Sequence, residues 1–236
     1  MKEIYIVSYP RSGNTWMRFL MANVLYPNED IHYKNLNRFV PDLHQKHHWE
    51  ESGVKNPKVV KSHFIWLPDT YEKVIYIYRD GRDVARSYYL YHREDKKMSF
   101  EEYLKRDSRF SQFNGRQRGN VIGGWKEHVN FWLFHVPKSI LVATVKYEEL
   151  YADPYVAMRK IIGALDWDID DRLISQAIRK SSWDELKKIQ PRDGQHPRNA
   201  GMIGKPGGWK EFFTQKQSDI FWHTVGDLME KLGYER

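Results

Sequence analysis

Residues 3–25 read EIYIVSYPRSGNTWMRFLMANVL, and their order decides the fold. Glu3 to Ser8 is a short run rich in β-branched and aromatic residues, the pattern of a buried strand. Tyr9-Pro10-Arg11-Ser12-Gly13 is a turn by composition. Asn14 to Leu25 carries apolar residues at Met17, Leu20, Met21, Val24 and Leu25, a helical period that Pro27 stops. A glycine turn between the end of a strand and the start of a helix makes an anion site. The unpaired N–H groups of the first helical turn and the helix dipole both point at the ligand. Gly13 lets the backbone approach closely, Arg11 offers two parallel donors to an oxyanion, and Ser12 and Thr15 add hydroxyls. The nucleoside-triphosphate loop needs Gly-x-x-x-x-Gly-Lys-Ser/Thr. This turn has one Gly, no Lys, and Trp16 where that loop continues into a polar helix start, so it suits a single phosphate better than a triphosphate. Taken alone, the same residues also suit an ordinary strand–helix turn.

Outward from this unit, strands and helices alternate. Lys58–Ser62, Lys73–Arg79 and Ser139–Lys146 read as strands. Helical patterns run over 83–92, 99–107, 121–136, 154–165, 170–180, 182–189 and 215–232. In 121–136, Trp125, His128, Trp132 and His135 recur at near-helical spacing and read as a helix packed in the core. Residues 26–57 are polar and His-rich, 108–120 read as a loop, and 190–208 read as a long basic loop rich in Pro and Gly. The alternation predicts an α/β fold, with residues 1–236 as a single domain and a central, mostly parallel sheet flanked by helices. A ligand is then expected at the carboxyl ends of the strands.

A chain of 236 residues can bury roughly 70–75% of its unfolded surface and needs no staples. It has no cysteine, which excludes a disulfide scaffold, a thiolate metal site and a cysteine nucleophile. Lys and Arg number 38 against 31 Asp and Glu, a net +7 that attracts anions. No stretch of about 18 apolar residues is present, so no membrane span is expected. The apolar run before Ser8 is too short for a signal peptide. With the missing cysteines, this leads to a cytoplasmic expectation.

Three further segments end in chemistry-bearing residues. Tyr78-Arg79-Asp80-Gly81-Arg82-Asp83-Val84-Ala85-Arg86-Ser87 closes the strongest strand, and Arg79 with Ser87 about two helical turns on can hold a second phosphate. Lys61-Ser62-His63 closes another, where a histidine suits a general base near neutral pH. Gly204-Lys205-Pro206-Gly207-Gly208-Trp209-Lys210 reads as a basic flap. Each segment alone also reads as a solvated turn or a structural histidine.

Together and in this order, over residues 5–214, the four blocks resemble the family of sulfotransferases that use PAPS (3′-phosphoadenosine 5′-phosphosulfate). The resemblance implies a P-loop-NTPase-like topology and sulfuryl transfer from PAPS, with PAP as product, to a hydroxyl or amine acceptor without a metal. It implies that Arg11, Ser12, Gly13, Asn14, Thr15 and Trp16 hold the 5′-phosphate, with Trp16 against adenine. Arg79 and Ser87 match the 3′-phosphate pair. Tyr147, Ser181 and Trp183 match positions around the base, and Gly204, Gly207, Trp209 and Lys210 match the glycine flap. His63 matches the catalytic base, Lys61 the lysine beside it, and Arg11 and Ser87 complete the catalytic set.

This chain departs from the family pattern in places. Arg11 stands where the family commonly has Lys; it keeps the charge but cannot give up a proton, so its expected role is electrostatic. Met202 and Ile203 replace a usual Arg-Lys pair, and Arg198 is the candidate for the missing phosphate contact. The chain is shorter than many relatives, which implies reduced acceptor-binding elements.

Residues 26–57 and 88–120 are expected to flank a small-molecule or glycan acceptor, with His32, Tyr33, His44, His47, His48, Trp49, Tyr88, Tyr89 and Tyr91 among them. His44-x-x-His47-His48 lacks the Cys or carboxylate of a recognisable metal pattern and reads as part of a polar lid. A nucleotide-dependent kinase of related fold needs the triphosphate loop and metal ligands. A non-catalytic polyanion binder has no use for Lys61-Ser62-His63 beside two phosphate sites. No nucleic-acid partner is expected, and the oligomeric state stays open.

Overall fold

The computed structural model of this chain describes residues 3–45, 58–65, 70–92, 98–106, 116–117, 120–122, 124–189 and 204–236. The run Ile4–Ser8 forms β1, and all five of its residues are buried. It pairs in parallel with β2 (Val59–Ser62) on one side and β3 (Lys73–Tyr78) on the other. A separate two-residue ladder joins β4 (Arg116–Gln117) to β5 (Asn120–Val121). The last strand, β6 (Leu141–Lys146), pairs in parallel with β3. The central sheet therefore has the order β2-β1-β3-β6, all parallel.

Parallel strands need crossovers, and the helices that supply them cover both faces. On one face Ile4, Ile6, Ile75 and Ile77 pack against α1 (Asn14–Leu25) and the later helices α7 (Pro154–Ala164) and α8 (Asp171–Lys180). The alternate residues Tyr5, Val7, Val74 and Tyr76 face the other way, onto Trp132 of α5 (Trp125–Phe134). One run of apolar residues thus supplies two cores, because successive strand side chains point to opposite faces. A third cluster joins α3 (Gly81–His92), α4 (Phe100–Arg106), α5 and the final helix α10 (Gln215–Lys231).

The sequence reading of α1 agrees with the structure to the residue. The other strands of the central sheet and the helices read from the sequence agree to within four residues at each end. By contrast, β4 and β5 fall in 108–120, read as a loop, and at Val121, read as helix, because two-residue strands carry too little pattern. Two short helices lie where no periodicity announces them: α2 (Leu36–Phe39) and α6 (Tyr147–Ala152), which bury only Leu36 with Phe39 and Tyr147 with Leu150. One i,i+3 pair is too little pattern to read. The helix at 182–189 is α9 (Trp183–Lys188), capped by the Ser182 side chain accepting from the Glu185 N–H.

The crossovers leave β1 and β3 in opposite directions, β2 lying beyond β1 and β6 beyond β3. The carboxyl ends of β1 and β3 therefore border a crevice, the place where open α/β sheets take their ligands. The turn after β1 and the segment Arg79-Asp80 after β3 meet there.

Candidate functional site

The turn after β1 holds two left-handed residues, Arg11 at φ 70° and Gly13 at φ 99°. A side chain at Gly13 has no room: a Cβ would stand 2.4 Å from Cδ2 of Tyr147. For arginine this backbone state is uncommon and costs energy, as is frequent at binding loops. No side chain caps the start of α1, so its first N–H groups stay open towards the crevice. Ser12 Oγ is buried there without a hydrogen-bond partner. Thr15 is half-buried in the same turn. Asn14 does something the sequence reading did not assign: its Nδ2 donates to the carbonyl of Ile6 at 3.2 Å, to Ser8 Oγ at 3.1 Å and to the carbonyl of Ser62 at 3.4 Å. Its Nδ2 therefore staples β1 to β2, while its Oδ1 is buried without a hydrogen-bond partner.

The residues after β3 close on this turn. Arg11 Nε donates to Ser87 Oγ at 3.0 Å, and Arg79 Nη1 donates to the Arg11 carbonyl at 3.4 Å. Burial lowers the pKa of the Arg11 guanidinium and the Tyr91 ring, 4.9 Å below it, counteracts this. Arg79 lies 4.3 Å over the Tyr147 ring, and its Nε is buried and unpartnered. Arg86 Nε is buried and unpartnered as well.

The expected flap, 204–210, lies against the same residues. The Gly204 carbonyl accepts from Tyr147 Oη at 2.9 Å and from Arg79 Nη2 at 3.3 Å. A 3₁₀ turn follows at Gly208–Glu211. Gly207 at φ 80° starts it, and Gly208 approaches Arg86 so closely that a Cβ would stand 3.1 Å from Nη1. The Asp83 carboxylate holds this turn, accepting from the N–H of Gly207 at 2.8 Å and of Trp209 at 2.9 Å. The Trp209 ring lies 3.7 Å from the Arg82 guanidinium, which is itself forked onto Asp80, so this indole anchors the turn. Lys210 is exposed. Arg198, Met202 and Ile203 lie outside the described residues, as do His47, His48 and Trp49.

The side of the crevice next to α1 is aromatic. Trp16 meets Tyr147 edge to face at 6.0 Å, and its Nε1 donates to the Ser181 carbonyl at 2.9 Å. Ser181 Oγ in turn accepts from Asn23 Nδ2 at 3.1 Å. Burial raises the Tyr147 phenol pKa to about 12, so it acts as a neutral donor. Trp183 is half-buried at the first position of α9.

His63 sits one residue past β2. Its Nδ1 lies 2.7 Å from the Ser8 carbonyl, which can only accept. The proton is therefore on Nδ1, and Nε2 keeps the lone pair a base needs. Burial, and next the charge of Lys61, hold its pKa well below 6.5 and keep it neutral. The Lys61 ammonium is committed elsewhere, 2.7 Å from Asp42 Oδ2. The Asp42 carboxyl stays below its usual range: burial opposes this, but Lys61 and buried Arg18 outweigh it.

Several roles escaped the sequence reading: those of Asp42 and His44 on the chain before β2, of Asp83 within the motif, and of His128 in the core. His44 does not belong to a lid. Its ring lies 4.0 Å from that of Phe64, and its Nε2 accepts from the His63 N–H at 3.0 Å. Tyr89 turns away from the crevice, donating to the Met98 carbonyl at 2.9 Å and packing on Phe100 and Tyr103. Among the described residues, no group of three His, Asp or Glu is placed to hold a metal. No helix among them is long and apolar enough to cross a membrane.

Comparison with known proteins gives one answer. The family model described as "Sulfotransferase domain" matches residues 1–233. Flavonol 3-sulfotransferase of Flaveria bidentis is 25% identical, over 98% of this chain and 82% of that protein. Sulfotransferase 1A1 of Bos taurus is 28% identical, over 93% and 80%. The solved structure of a mouse sulfotransferase complexed with PAP matches at a TM-score of 0.72, with 21% identity, over 97% of this chain and 84% of that one. The expected α/β fold is thus the fold of solved sulfotransferases.

Proposed function

The chain belongs to the sulfotransferase family, and from that premise we propose that it moves a sulfuryl group from PAPS to a hydroxyl or amine of a small molecule. One observation carries the reading. Arg11, Ser87, Arg79 and the Gly204 carbonyl, from three separate segments, are linked by hydrogen bonds at the ends of β1 and β3. Beside them Ser12 Oγ, Arg79 Nε and Arg86 Nε are buried without partners. Unpaired buried donors are costly, and an anion with several oxygens satisfies them.

These residues fit PAP. The open N–H groups at Gly13–Trp16 and Ser12 Oγ suit the 5′-phosphate. Arg79, Arg86 and Ser87 suit the 3′-phosphate, with the 204–210 turn closing over it. Trp16, Tyr147 and Trp183 offer faces to the adenine, and Ser181 holds Trp16 in place. Arg198 and Lys210 are the candidates for the outer phosphate contacts that Met202 and Ile203, in place of a basic pair, cannot make. PAPS, when bound, supplies a sulfuryl group already activated by a phosphate leaving group. His63 Nε2 takes the acceptor's proton as its oxygen or nitrogen attacks. Arg11 and the turn N–H groups face the charge that grows on the departing oxygen, as donors do in an oxyanion site. Lys61 acts from its ion pair with Asp42, its field adding to the burial that keeps His63 unprotonated. Residues 1–236 work as one catalytic unit.

Calorimetric titration with PAP, compared with ATP plus magnesium, tests the reading. Micromolar PAP binding and weak ATP binding are expected. A preference for ATP with magnesium would make the chain a kinase-like enzyme. Salt-dependent polyanion binding without PAP preference would make it a binder. Radiolabelled PAPS with a panel containing 2-naphthol, a flavonol, a steroid alcohol and an arylamine then identifies the acceptor class. A small-molecule acceptor fits a reaction in the cytoplasm.

A further inference from the structure

His63 stands beyond the last residue of β2, so no neighbouring strand holds its backbone. Two other histidines do. The His63 N–H donates to His44 Nε2 at 3.0 Å. The His63 carbonyl lies 3.2 Å from His128 Nε2. A peptide N–H can only donate and a carbonyl can only accept, so both tautomers follow. His44 carries its proton on Nδ1 and offers the Nε2 lone pair. His128 carries its proton on Nε2, and its Nδ1 accepts from Tyr76 Oη at 2.8 Å. The two histidines come from different places: His44 from the 3₁₀ turn at Leu43–Gln45, His128 from α5. Each is locked in turn. The His44 N–H donates to Asp42 Oδ1 at 3.0 Å, and His128 is fully buried between Tyr9 and Tyr76.

We propose that His44 and His128 are positioning residues for His63: they grip the N–H and C=O flanking its Cα, so that Nδ1–H stays on the Ser8 carbonyl and Nε2 faces the acceptor. The inference rests on the reading of His63 as the base and adds two residues to it. Neither histidine touches the reacting atoms. Their contribution is geometric, since a base displaced by about 1 Å loses much of its rate. Both also have to be neutral. A protonated His44 would turn its acceptor into a donor facing the N–H it holds, and a protonated His128 would do the same to Tyr76.

Three variant sets test this. In His44→Gln the side-chain amide reaches the position of Nε2 and can accept from the His63 N–H; in His44→Asn the same group stops short. His128→Gln can still donate to the His63 carbonyl, and pairing it with Tyr76→Phe avoids a stranded hydroxyl. His63→Ala is the reference. Transfer from radiolabelled PAPS to the panel's best acceptor gives kcat and KM, calorimetry gives PAP affinity, and nitrogen NMR of labelled histidine reports the His63 tautomer. We expect His44→Asn to lower kcat about 10–100-fold with KM and PAP affinity within about threefold. We expect His44→Gln and the His128→Gln/Tyr76→Phe pair to stay within about fivefold of the parent. His63 should show the Nδ1–H tautomer in the parent and in His44→Gln, and a mixture in His44→Asn. Equal kcat and an unchanged tautomer in the Gln and Asn variants would overturn the inference while leaving the base assignment intact. Loss of PAP affinity alongside kcat in both would reduce His44 to a scaffold residue, which also overturns it. An unimpaired His63→Ala would instead remove the base assignment itself.

Discussion

Replacing Asp83 by Ala should weaken PAP binding about 30- to 150-fold. The Asp83 side chain is 1% exposed and accepts hydrogen bonds from the N–H groups of Gly207 and Trp209. Hydrogen bonds to a charged group contribute roughly 1.5–3 kcal/mol each. Gly207 and Trp209 are half-buried, so their freed N–H groups regain water and the low end applies. Two such bonds give about 3 kcal/mol, or about 150-fold if closure of the turn over the nucleotide is fully expressed in affinity. One effect offsets part of this. Arg79 Nη2 lies 3.5 Å from Asp83 Oδ2, and without that carboxylate its charge is freer for a phosphate. Asp83→Asn keeps the shape and a neutral acceptor, so a loss of about tenfold is expected. Calorimetric titration with PAP at fixed ionic strength, beside a thermal unfolding curve for each variant, measures both. Affinity within threefold of the parent in a folded Asp83→Ala protein would refute the reasoning, because the 204–210 turn would then owe its position to something other than this carboxylate.

His63→Ala should lower kcat by ~10²–10⁴-fold and leave PAP affinity nearly unchanged, read by radiolabel transfer and calorimetry. Gly13→Ala forces a left-handed alanine against the fully packed Tyr147 ring. It should cost about 2–5 kcal/mol, seen as a melting temperature lower by roughly 5–15 °C. Stability should fall as the pH drops below 6.5. Burial chiefly holds His44 at about 4, His128 at about 3 and His63 well below 6.5, so the unfolded chain binds more protons than the folded one. Fully buried His128 alone gives a slope approaching ~1.4 kcal/mol per pH unit between 6.5 and 3. The burial-raised Glu148 carboxyl works in the opposite direction, and Asp42 adds its loss only below about pH 4. Urea midpoints that stay level from pH 7 to pH 5 would contradict this. Turnover should survive EDTA; its loss, with recovery on adding magnesium, would point to a metal-dependent phosphoryl chemistry instead.

The local elements were legible because each depends on few neighbours. Ile4–Ser8 reads as a buried strand from residue type alone, and Asn14–Leu25 as a helix from its spacing. Gly13, set between a strand and a helix, announces a special backbone state by residue type. Four ordered motifs were enough to identify the family, since motif order is a property of the chain. What the order of residues did not show has a common physical origin: a side chain's partner is chosen by packing. Asn14 reads as part of the phosphate turn, and in the fold its Nδ2 is also tied to the ends of two strands. Tyr89 looked like an acceptor contact, yet its helix turns it into the third core.

Residue types and their order are enough to specify the strand–turn–helix, the charge, the absence of thiol chemistry and the identity of the motifs, all of which are local or additive. Folding in three dimensions adds what no local pattern holds: Asp83 fixes a turn more than 120 residues away in the chain. In the same way Lys61 is tied to Asp42, and His63 is gripped by His44 and His128. These are hydrogen bonds and ion pairs between segments distant in sequence. They exist because the parallel sheet brings separate strand ends to one edge, where buried polar groups from distant segments meet and pair.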